Sequence, residues 1–148
     1  MAMMSITTIT PNSLVSFFGS AANLNDIDFI TEYPNNTLPY PLSCATAAIG
    51  TESISVTEIP VSVIENQDGT QTTITGNRTL SVKMRLGIHV PKSLGGETCH
   101  TVYKRLLDVL LGSDSFVVDT SGCGRTRFVR DTDSLYLPAW FVVNSDIV

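Results

Sequence analysis

The residues in this chain best placed to do chemistry are Cys99 and His100, a thiol beside an imidazole, with Asp108 further along the same stretch. A cysteine nucleophile needs a base within hydrogen-bond reach and a third group to orient that base. The surrounding GETCHTVYKRLLDVLLG has a helical pattern, and neighbours on a helix point about 100° apart. Cys99 also shares the apolar stripe Cys99, Val102, Leu106 and Leu110. The expectation is therefore a core cysteine, and a small cysteine-dependent enzyme using Cys99 or Cys123 is the remote alternative.

Metal binding would have to draw on Cys44, His89, Cys99, His100 and Cys123. Zinc sites show close ligand pairs such as CxxC or HExxH, and no such pair is present. His89 lies on the polar side of an alternating run, as a solvated or interface histidine. The glycine pairs Gly95-Gly96 and Gly122/Gly124 do not fit the phosphate-loop patterns. Gly95-Gly96 reads instead as a turn that swings a strand into a helix. Asp114, Asp119, Asp131 and Asp133 fall near turns and need no acid–base explanation. Arg125, Arg127 and Arg130 read as a sheet face, either solvated or making salt bridges between subunits. No catalytic residue, metal or cofactor is expected.

The elements that position these residues centre on Ser81 to Gly112. Val82, Met84, Leu86, Ile88 and Val90 alternate with Ser81, Lys83, Arg85, Gly87 and His89, which predicts a strand with one buried face. A helix over about 96–111 follows, with Glu97 in its first turn and Gly112 at its stop. Thr10-Pro11 predicts the start of an apolar helix over 11–24. Strands are expected at Ile27–Tyr33, Ser43–Gly50, Ser53–Ile64 (with Pro60 forcing an edge, bulge or break), Ser115–Thr120, Gly124–Arg130 and Ser134–Asn144. Pro34–Pro41 reads as an irregular link. The polar stretch near 65–77 reads as a hairpin tip or a long mobile loop, and Asp131–Asp133 as a hairpin turn. No strand–helix–strand series recurs, so the expected fold is α+β, a mostly antiparallel sheet packed by two helices. Residues 1–10 are expected to be a flexible N-terminal segment and 11–148 a single domain.

The chain has 148 residues, 43% of them apolar and only 16% charged, with a net charge of −5. A charged fraction well below the usual quarter suggests a surface partly covered by partner subunits. The acidic balance, with no run of basic residues, argues against specific nucleic-acid binding. The N-terminus lacks the charged and apolar regions of a secretory signal, and no apolar run approaches membrane-spanning length. Three widely spaced cysteines in such a chain point to a reducing compartment during synthesis.

Taken together, several segments resemble one family. IHVPKSLGGETCHTVYKRLLDVLL resembles the region of bacteriophage and prophage tail terminator-like (tail completion) proteins in which a strand runs through proline and a Gly-Gly turn into an amphipathic helix. Ser121-Gly122-Cys123-Gly124, the acidic turn Asp131–Asp133 and the final apolar strand look like that family's ending. Gly122 departs from its Ser-Cys pair. Tyr33-Pro34, Pro39–Leu42 and Ile49–Ile54 fit its proline-rich link and following strand. The resemblance covers most of 11–144 and implies an α+β tail-terminator-like subunit of a homo-oligomeric ring, commonly a hexamer. Such a ring would cap the head-proximal end of a phage or phage-like tail tube and meet the head–tail connector, with sheath contact if the tail is contractile. It implies a place in the virion tail, with assembly in the host cytoplasm. The alternative is another head–tail joining or baseplate-proximal structural protein.

Overall fold

The computed structural model describes residues 9–32, 42–58, 62–74, 78–114, 116–130 and 133–147. Helix α1 spans Pro11–Gly19 and helix α2 Glu97–Leu111. The strands are β1 Ile27–Thr31, β2 Ala45–Glu58, β3 Ser62–Glu65, β4 Gln71–Ile74, β5 Arg78–Pro91, β6 Val117–Cys123, β7 Arg127–Val129 and β8 Ser134–Ile147. The main sheet runs β1-β2-β5-β8-β6, with β7 also pairing β8, while β3 and β4 form a separate hairpin. The fold is α+β with a mostly antiparallel sheet and two helices, and β1–β2 is its parallel pair.

The alternation in β5 appears as read: Val82, Met84, Leu86, Ile88 and Val90 are all buried, with half-buried polar residues between most of them, and buried Leu80 extends the run. Residues directly opposite across an antiparallel pair share a face. So Leu137, Ala139, Phe141 and Val143 of β8 extend the same apolar surface. The stripe Cys99, Val102, Leu106 and Leu110 of α2 closes over it. From α1, Leu14 and Phe18 join the same core, with Phe18 stacked on Phe29 at 5.4 Å between ring centres. The other sheet face has no helix over it among the described residues.

Several boundaries differ from the reading of the sequence, each for a local reason. Thr10 caps α1 as expected, exchanging hydrogen bonds with Ser13, but the helix ends at Gly19 and a short 3-10 turn covers Ala22–Leu24. Glycine and serine are weak helix formers, and Ser20 Oγ donates to the Phe17 carbonyl at that point. The two strands expected over 43–64 are one long strand, β2, with a bulge between Thr51 and Ser53, followed by β3. The polar stretch after it is a hairpin, turning at Asn66–Thr70 with Gly69 at φ +85°. The Gly95 turn is present with φ +84°, after a 3-10 turn at Lys92–Leu94.

Ser121 to Cys123, expected to divide two strands, belongs to β6, and β7 is only three residues long. Trp140 packs over Gly122, and Ser121 Oγ both contacts the Tyr103 hydroxyl at 2.6 Å and donates to the Trp140 carbonyl. The β7–β8 hairpin forms as expected, with Asp133 at φ 48° in its turn. The expectations for residues 1–8, the link at 33–41, Pro60, Asp131 and Thr132 lie outside the described residues.

Candidate functional site

Helix α2 sets the fate of the Cys99–His100 pair. Cys99 is fully buried on the helix stripe, and burial raises its thiol pKa above the usual value. A nucleophilic thiol needs the opposite shift. His100 is half-buried, with Nδ1 3.4 Å from Thr126 Oγ1, and Asp108 is exposed more than two turns along the same helix. The three groups are not brought together. Of the other thiols, Cys123 is exposed on β6. Cys44 donates to Asp28 Oδ2 at 3.2 Å; burial first, and then that carboxylate, raise its pKa. Among the described residues no three His, Cys, Asp or Glu side chains converge as a metal site would require.

His89 departs from the solvated reading. Its ring packs against Tyr136 at 4.8 Å between centres, Nδ1 is buried with no described partner, and burial lowers its pKa. Gly87 makes room for this pairing, since a Cβ there would lie 3.2 Å from the Tyr136 ring. Arg127 stacks on Tyr136 from β7, its guanidinium carbon 5.1 Å from the ring centre.

The helix-free sheet face is thus a lattice of charge and rings. Arg85 Nε donates to Glu32 Oε2 at 2.8 Å, and that carboxylate lies over Gly50. Lys83 pairs with Glu52 at 3.0 Å while its ammonium rests 5.0 Å from the Trp140 ring. The sequence offered the polar alternation of β5 but not its partners, which come from strands far apart in the chain. Cys123 opens onto this face near Lys83 and Arg85, and among the described residues no group of three His, Cys, Asp or Glu gathers there.

What stands out is apolar and unpartnered. β1 pairs β2 only along Ala45–Ile49, so the outer edge of β2 beyond that point is open among the described strands. On this overhang Ile54 is 58% and Val56 49% exposed, and on the β3 strand Val63 is 58% and Ile64 48% exposed. At the far edge of the sheet, Phe128 of β7 is exposed beneath the Lys92 ammonium, and Arg125, Arg127 and Arg130 are exposed around it.

No protein-family model matches the chain, and no curated protein sequence matches it. Among solved structures it is similar to a chain described as "Virion of native gene transfer agent (GTA) particle", with a TM-score of 0.48 and 10% identity over 92% of this chain and 93% of that one.

Proposed function

We propose that the protein is a non-enzymatic structural subunit of a phage-like particle, a tail terminator that assembles into a ring at the head-proximal end of a tail tube. The observation that carries the assembly reading is the overhang of β2, where Ile54 and Val56 share the core face of the sheet and are 58% and 49% exposed; Val63 and Ile64, one on each face of β3, are exposed as well. Apolar groups that cluster on a surface in this way mark interaction sites. The low charged fraction agrees with a surface meant for neighbours. The placement at the tail rests on the sequence resemblance of the Pro91–Leu111 region and the Ser121–Asn144 ending.

In this reading the chain works by shape. The buried thiol of Cys99 and the separated His100 and Asp108 serve packing and helix surface rather than catalysis. Contacts between unlike patches, repeated by rotation, close into rings, which suits a head-to-tail assembly better than a two-fold dimer. The tube, the head–tail connector and, in a contractile particle, the sheath would be its partners, with the protein ending in the virion after assembly in the host cytoplasm. A net charge of −5 suits a ring through which DNA passes, because phosphates meet little attraction.

Electron microscopy and mass measurement of the purified protein test this reading. Rings with a central hole of tail-tube diameter are expected. A strict monomer at high concentration that also fails to add to tube ends overturns it.

A further inference from the structure

We infer that neighbouring copies join by seating the β3–β4 hairpin of one chain against the β7 edge of the next, an apolar contact framed by opposite charge. The inference rests on the ring reading above and names the two surfaces that would make it. The hairpin side offers one exposed apolar side chain on each face of β3, Val63 on one and Ile64 on the other, with exposed Glu65 and Asp68 at its turn. Between residues 54 and 80 the chain carries three carboxylates (Glu58, Glu65 and Asp68) against one guanidinium, Arg78. The β7 side offers exposed Phe128, and residues 124–130 carry Arg125, Arg127 and Arg130 with no acidic residue. None of these three arginines makes an ion pair with a described carboxylate, and the outer edge of β7 has no described strand beside it.

Geometry makes the contact intermolecular. β7 pairs β8 at Ser134–Tyr136, whereas the root of the hairpin arm at Arg78–Leu80 pairs β8 at Ser145–Ile147. The two ends of that strand are roughly 35–45 Å apart at about 3.3 Å per residue. Val63 and Ile64 lie only five and six residues beyond Glu58, which pairs Arg78 at that root, so at about 3.3 Å per residue they reach no more than roughly 20 Å from it and fall short of β7. Each patch can find its complement only on a second copy. A two-fold pairing of hairpin with hairpin would set carboxylates against carboxylates, and edge with edge would set arginines against arginines. Unlike patches meeting is the heterologous arrangement that closes into a ring.

Charge reversal at each patch, separately and together, tests the contact by sedimentation velocity near physiological salt. Arg125→Glu with Arg130→Glu alters one side and leaves Arg127 on the Tyr136 ring. Glu65→Lys with Gln67→Lys alters the other and leaves the Asp68 turn bonds in place. Each pair is expected to raise the apparent dissociation constant tenfold or more, since like charges set face to face suppress pairing. The chain carrying all four substitutions is expected to associate within a few-fold of the original, and melting by circular dichroism confirms that each variant is folded. Association unchanged by either reversal, or not restored in the fourfold variant, overturns the inference while rings persist and the ring reading stands. A chain that stays monomeric in every form overturns both.

Discussion

Ile54 and Val82 face each other across β2 and β5, yet Val82 is 1% exposed and Ile54 is 58%. The same holds two residues along on the same face, where Leu80 is buried and its partner Val56 is 49% exposed. The core face of the sheet therefore continues past the edge of its own helices. β5 lies beneath that cover, and the overhang of β2 does not. This step in burial between paired residues leaves an apolar strip on the core side of the sheet uncovered by the described residues.

Substitution along this step should separate folding from assembly. Ile54→Thr with Val56→Thr keeps β-branched residues on the strand and removes exposed apolar surface. Thermal or denaturant unfolding at a concentration where the chain is monomeric should change by no more than about 0.5 kcal/mol per site. Association in sedimentation should weaken. Leu80→Ala, on the buried partner strand, should instead cost about 2–5 kcal/mol. A large loss of monomer stability from the threonine pair would mean that the overhang is packed within its own chain.

Gly122 offers an independent check on β6. A Cβ at that position would lie 2.8 Å from Cζ2 of Trp140, and Lys83 rests on the same indole. The ring cannot withdraw without giving up that contact. Gly122→Ala should therefore destabilise by about 1–3 kcal/mol in denaturant unfolding. Gly19→Ala meets nothing within 4 Å at the end of α1 and should stabilise by about 0.5–1 kcal/mol.

The same residues show what could be read from sequence. Period-two alternation in β5 and the three-to-four spacing in α2 report directly on burial, because each is set by contact with one flat core. Thr10 and Gly95 act locally and were equally legible. The length of β2 was not, since a bulge at Thr51–Ser53 reverses the alternation and mimics a break. Nor was the strand character of Ser121–Cys123, whose small residues fit beneath Tyr103 and Trp140, both distant in sequence. The exposure of Ile54 and Val56 was hidden for a related reason. Their alternation is that of a buried strand, and only the extent of the helices shows that the cover stops short.

The thiols should label in the order of their exposure. Cys123 is exposed, Cys44 is half-buried with its pKa raised by burial and then by Asp28, and Cys99 is fully buried with its pKa raised by burial. Iodoacetamide followed by peptide mass spectrometry should modify Cys123 first, Cys44 more slowly and Cys99 only on unfolding. Rapid labelling of Cys99 in the folded chain would revive the nucleophile that the helix stripe excludes.

His89 predicts how stability responds to mild acid. Burial against Tyr136 lowers its pKa below the ordinary value of about 6.5, so the unfolded chain binds its proton more readily than the folded one. Stability from this residue is fully present above the unfolded pKa and is lost as pH falls from there through the folded value. The Asp26 carboxylate, held below its usual range by the hydrogen bonds of Arg105, has the same sign, but its loss begins only in the acid range near 4 and below. Between pH 7.5 and about 5 the two contributions are therefore separable. Unfolding free energy should fall over that interval, and His89→Gln should flatten the slope there while leaving the loss in the acid range near 4 and below intact. An unchanged slope in that variant would place the titrating group elsewhere and leave the His89–Tyr136 contact indifferent to charge.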